Sequence, residues 1–122
     1  MFVDRNPGKE LNRVLKKGGI IISVSTSTAA YEFKKYQFSA AHTDFPENDN
    51  LVSGAKVKLQ LYSLDFAFED YYWSKQDYFE FLGNSNFNDL DVYYPLGTKE
   101  DGLKWRDELT VSPVMLIKGT KY

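Results

Sequence analysis

The sequence predicts an α/β fold, and two observations carry that prediction. Residues 8–25 pack a short amphipathic helix, a double-glycine stop and an uninterrupted aliphatic strand into one segment. A helix–loop–strand unit of this kind is half of a doubly wound α/β layer. Further along, the apolar spacing switches to strict alternation, then back to a helical pattern, then to alternation again. The 122 residues suit one domain, and 43% apolar content is enough for a core.

The first helix is expected over Pro7 to Lys17, with Asn6 as its cap and Pro7 at the first helical position, where no N–H is needed. Leu11, Val14 and Leu15 share one face. Lys16 and Lys17 complement the negative end of the helix dipole, and Gly18 and Gly19 supply the left-handed backbone that ends it. Ile20 to Val24 shows no alternation, as expected of a strand covered on both faces in a mostly parallel sheet. Ser25 to Thr28 are caps for a second helix over about Ala29 to Ala40. His42 to Asn50 reads as a loop, because Pro46 and the Asn/Asp cluster form turns.

From Lys56 the alternation of Val57, Leu59 and Leu61 predicts a half-exposed strand, and Phe66 and Phe68 mark its antiparallel mate. Ser74 and Asp77 form a capping box for a helix that buries Tyr78, Phe79, Phe81 and Leu82 and ends at Gly83. Asp89 to Tyr94 alternates as a strand. Pro95 to Asp107 is a polar surface loop with Trp105 as its one aromatic anchor. Val114 to Ile117 is the last strand, closed by Lys118-Gly119.

These segments also resemble a known family. "ELNRVLKKGGIIISVS" is similar to the helix, turn and fifth strand of class I S-adenosylmethionine-dependent methyltransferases, with Lys17 where that family usually has proline. "FVDRNPGK" (Phe2 to Lys9) resembles the loop that feeds the helix. "YYWSKQDYFEFLGNSNFNDLDVYYP" (Tyr71 to Pro95) resembles the later helix and sixth strand, with Asn86-Phe87 at a position often Gly-Phe. "SPVMLIKGTK" (Ser112 to Lys121) resembles the closing seventh strand. The resemblance covers nearly the whole chain in family order. It implies the C-terminal half of a Rossmann-like sheet (strands five, seven, six) with an added β-hairpin. It also implies that the last strand inserts antiparallel between the other two.

What such a fold needs elsewhere is missing from the sequence. The family holds its cofactor with a glycine-rich turn after its first strand and an acidic residue ending its second. Gly18-Gly19 precedes a strand rather than following one, so it is no cradle. S-adenosylmethionine is therefore the cofactor of the parent fold, and this chain alone is expected neither to bind it nor to be active.

Other function classes are constrained by composition. A net charge of −2 with both signs interspersed lacks the clustered basic face of a nucleic-acid binder. The absence of cysteine removes disulfides, thiolate metal sites and cysteine nucleophiles. No metal-ligand spacing is present. No apolar run reaches the ~18 residues of a membrane span, and Asp4, Arg5 and Asn6 stand where a signal peptide would be apolar. A cytoplasmic location is expected.

The candidate site residues follow. Ser25, Thr26 and Ser27, with Thr28, stand at the carboxyl end of the first strand, where open α/β sheets place ligands. They are either a hydroxyl-lined rim of an acceptor pocket or a helix cap and loop. Tyr71, Tyr72 and Trp73 follow Glu69 and Asp70. By the resemblance they fold over the methyl acceptor, where rings bind flat or cationic groups; otherwise they pack the hairpin onto the sheet. His42, the only histidine, is a candidate base, oriented by Thr43 and Asp44, or else a solvated loop residue.

Three readings stay open at this point: the acceptor-side half of a methyltransferase, a non-catalytic partner subunit, and a small α+β interaction protein. Because Ile20 to Val24 would be an unprotected edge, a homo-oligomer is expected, or pairing with a missing N-terminal half.

Overall fold

The computed structural model describes residues 7–122. The Asn6 cap and most of the Phe2 to Lys9 segment lie outside the described residues. Helix α1 (Pro7–Val14) leads into β1 (Ile20–Thr26), and a short 3-10 turn spans Thr28–Tyr31. Three strands follow: β2 (Ala41–His42), β3 (Lys56–Leu61) and β4 (Phe68–Tyr71). Helix α2 (Lys75–Asn84), β5 (Phe87–Tyr93) and β6 (Val114–Lys121) complete the chain.

The strands form two three-stranded sheets, ordered β1-β6-β5 and β2-β3-β4. In the first, β6 runs antiparallel to both neighbours, with Ser23 opposite Ile117 and Val92 opposite Ile117 on its other side. That is the spatial order expected from the sequence, with the last strand inserted between the other two. The expected mostly parallel sheet is not seen: β1 and β5 share a direction, but every hydrogen-bonded pair is antiparallel.

One face of this sheet carries the core. Leu82 of α2 packs with Phe87, Met115 and Ile117, and Leu15, Ile21, Tyr78, Phe79, Leu90 and Val92 surround them. Gly8 allows α1 to approach α2, since a Cβ there would meet the Ser85 side chain. The opposite face is open. Ile20, Ile22 and Val24 are 50, 63 and 68% exposed, so β1 is not covered on both faces. No helix of the described residues lies over them.

The first helix stops at Val14, short of Lys17. Its final carbonyls are bound by the Lys121 ammonium, which donates to Asn12 O at 2.6 Å and Leu15 O at 2.7 Å. Lys16 and Lys17 are exposed, as are Leu11 and Val14 of the expected apolar face. Gly18, with φ +83, turns the chain so that its N–H reaches Lys121 O at 2.6 Å. That bond explains why β6 runs on past Lys118-Gly119.

The expected helix over Ala29 to Ala40 is replaced by the single 3-10 turn and irregular chain. Tyr31 packs with Val57 and Tyr72, whereas Phe38 is buried beside Tyr36, so the two rings serve different neighbours although their spacing would suit one helical face. Helix α2 begins as predicted, with a complete Ser74/Asp77 capping box. It continues one residue past Gly83 and is ended by Asn86 at φ 66. Phe81 points outward, 39% exposed.

The hairpin β3–β4 is present and gains a third strand, because Ala41 and His42 pair with Leu61 and Gln60. Its core is Tyr31, Val57 and Tyr72, with Leu51 and Leu59 against them. Asn48 locks the preceding loop: its side chain donates to Thr43 O and Lys58 O and accepts from Lys58 N.

Candidate functional site

The carboxyl end of β1 meets the end of β4 in a cleft of about 170 Å³. Ser25 and Thr26 of β1, Tyr31, and Asp70, Tyr71, Tyr72 and Trp73 line it, with Val24 and Tyr78. Five of the six acceptor-side residues named from sequence therefore converge. β1 brings its hydroxyls because the sheet ends there. β4 brings its rings because the ladder to β3 runs on beyond it, with Tyr72 N–H donating to Ala55 O and Gly54 N–H to Tyr72 O, each at 2.8 Å.

Within the cleft, Tyr72 is 7% exposed and its hydroxyl lies 2.8 Å from Thr28 Oγ1. The Tyr31 ring meets it edge-on, with centroids 6.3 Å apart. Burial raises the Tyr31 phenol pKa above its ordinary value, opposed by a hydrogen bond with Thr26 and reinforced by the negative charge of Asp70. Tyr71 and Trp73 are about half exposed. Trp73 lies over Gly54, where an added Cβ would sit 3.4 Å from the ring. Tyr72 thus combines both sequence readings, being packed into the hairpin core and lining the cleft.

Ser27 does not join this group. Its buried hydroxyl donates to Ser112 O at 2.6 Å, tying the end of β1 to the start of β6. It borders a separate cavity of about 440 Å³ with Thr28, Tyr94, Leu96 and Ser112. His42 is elsewhere again, in strand β2 rather than a loop. Its ring stacks on Phe45 at 5.2 Å and leans on Tyr62 at 5.6 Å. Thr43 does not orient that ring; it donates to Ala30 O at 2.5 Å. The pocket beside His42 is lined by Phe33, Tyr36, Phe38 and Asp44 and shares no residue with the β1–β4 cleft.

Two polar residues were not picked out from the sequence. Asp70 is the only carboxylate in the cleft among the described residues, and its placement beside the rings depends on the register Val57↔Asp70. Glu108, just past the expected surface loop, is 5% exposed and accepts from Ser39 N at 2.8 Å and Ser39 Oγ at 2.7 Å.

No sequence family matches this chain, and no curated protein matches it significantly. Solved structures do. A Listeria monocytogenes protein described as a candidate S-adenosylmethionine-dependent methyltransferase superposes with TM-score 0.62 at 17% identity, over 94% of this chain and 53% of that one. The chain has a methyltransferase-like fold. A Thermotoga maritima protein, described as an S-adenosylmethionine-dependent methyltransferase and candidate histamine N-methyltransferase, superposes with TM-score 0.50 at 20% identity. That match covers 99% of this chain and 51% of the other. The chain spans about half the length of these methyltransferases, consistent with the C-terminal half of a class I fold.

The described residues of this methyltransferase-like half do not fit the adenosyl cofactor. A cradle needs a left-handed glycine turn between the carboxyl end of a strand and a helix N-terminus. The left-handed glycines are Gly18, Gly54 and Gly102. Gly18 and Gly54 precede strands, and Gly102 ends a one-turn 3-10 segment.

Proposed function

We propose that this chain is the acceptor-side half of a methyltransferase-like fold, with β1, β6 and β5 equivalent to strands five, seven and six. The cleft between β1 and β4 is where it receives the methyl acceptor. One observation carries the reading: Ser25, Thr26, Tyr72 and Trp73, which are far apart in sequence, line one cleft at the carboxyl end of a strand. In α/β sheets that end is where ligands bind. The work of such a half is positioning, in which hydroxyls and rings fix the acceptor's orientation. On this reading the chain is inactive by itself, because its described residues form no cofactor cradle.

The test is amide NMR of the labelled chain titrated with a panel of small amines, alcohols and phenols. The expected result is saturable shifts confined to Ser25, Thr26, Tyr72 and Trp73. Shifts centred on His42, or none with any compound, would overturn the reading.

A further inference from the structure

We infer that the β1–β4 cleft is selective for an acceptor that carries a small organic cation, a protonated or quaternary amine, as its recognition group, the methyl going to a different atom of the same molecule. The inference rests on the acceptor-cleft reading and names the chemistry of its ligand.

Among the described residues, the cleft's lining contains one carboxylate, that of Asp70, and no lysine, arginine or histidine. Five aromatic rings accompany it: Tyr31, Tyr71, Tyr72, Trp73 and Tyr78. Ring faces attract cations through their quadrupoles, tryptophan most strongly, and a carboxylate at the edge supplies the counter-charge. Asp70 makes no ion pair among the described residues; one of its oxygens accepts from the adjacent Tyr71 N–H at 2.7 Å. Its other oxygen is available to a ligand. Burial raises the Tyr31 phenol pKa above its ordinary value.

Trp73 and Tyr78 also wall a second, wider depression of about 530 Å³. Its other residues are Asp77, Glu80, Phe81 and Asn84, again with carboxylates and no base. The nearest lysine on α2, Lys75, borders a different cavity and lies 5.6 Å from the Phe79 ring. The inner cleft exposes mostly polar atoms and the outer hollow mostly apolar ones, and the Trp73 indole borders both. The inner cleft is smaller than the roughly 300–1,000 Å³ of sites for drug-sized ligands. It suits a cationic head of a few heavy atoms, with any substituent running over Trp73 into the outer hollow.

The test compares isobutylammonium with isobutanol, its neutral isostere, and adds tetramethylammonium. Each is titrated into the labelled full chain while the Trp73 indole N–H signal is followed. Both cations should saturate, and the alcohol should bind at least about tenfold more weakly, as expected for a lost charge-assisted contact. Asp70→Asn keeps an oxygen for the Tyr71 N–H and should weaken the cations about tenfold while leaving the alcohol unchanged. Equal binding of alcohol and amine, or unchanged cation binding in D70N, would overturn the inference while leaving the acceptor cleft standing. No binding of any probe would remove the acceptor reading itself.

Discussion

The hydroxyls of Thr28 and Tyr72 lie 2.8 Å apart, 44 residues apart in sequence. This bond joins the turn after β1 to the end of β4, and so couples the two sheets beside the cleft. Tyr72→Phe removes the hydroxyl but keeps the ring against Val57 and Tyr31. It should cost about 0.5–1.5 kcal/mol in urea unfolding. Tyr72→Ala also opens a cavity and should cost about 3–5 kcal/mol. Equal losses for the two variants would mean that the ring contributes little to holding the sheets.

Glu108 makes stability depend on acid. Burial works to raise its pKa, but hydrogen bonds from Ser39 Oγ, Ser39 N and Arg106 N outweigh it, and the net shift is below the ordinary 4.5. A depressed folded-state value means the stabilisation is present above the unfolded pKa and is lost as pH falls through the folded one. Denaturation midpoints should therefore decline as pH drops below about 4.5. In Glu108→Gln that part of the decline should vanish, and stability at neutral pH should fall by about 1–3 kcal/mol. An unchanged acid profile in the variant would contradict this role.

Local signals made some of this legible. The Ser74/Asp77 capping box, the alternation of Val57 and Leu59 and the aliphatic run of β1 are each written within a few residues. The strand end points to Ser25 and Thr26, and the family resemblance to Tyr72 and Trp73; the structure places them on one cleft. What escaped is set at long range. Glu108 becomes buried because Ser39, 69 residues away, supplies two donors. His42 enters a strand because Gln60 pairs with it. The segment after Ala29 is aromatic enough to suggest a helix, yet Tyr31 and Phe38 serve different neighbours.

The open face of the first sheet predicts self-association. Ile20, Ile22 and Val24 are exposed on an edge strand, and Tyr93, 63% exposed, lies on the same face across β6. The charged pair on that face, Asp91 opposite Lys118, is neutral overall, so a second copy meets no repulsion. Light scattering at high concentration should give a dimer or larger species. Ile22→Lys should return it to monomer while changing unfolding of the isolated chain by within about 0.5 kcal/mol, because the side chain is already exposed. A strictly monomeric native chain would contradict the prediction.

The helix start offers a simple control on the fold. Ser74→Ala removes a side chain that accepts from Asp77 N and, through its hydroxyl, donates to the Asp77 carboxylate. It should cost about 1 kcal/mol. Circular dichroism during urea unfolding will measure it, and a neutral effect would mean that α2 is held by Leu82 and its neighbours alone.

The proposed acceptor-side surface has no cofactor cradle among the described residues. Calorimetric titration of the full chain with S-adenosylmethionine puts this to the test. No saturable heat is expected up to millimolar cofactor. Micromolar binding at one cofactor per chain would contradict it, and would mean that the adenosyl site is built from residues read here as acceptor cleft or core.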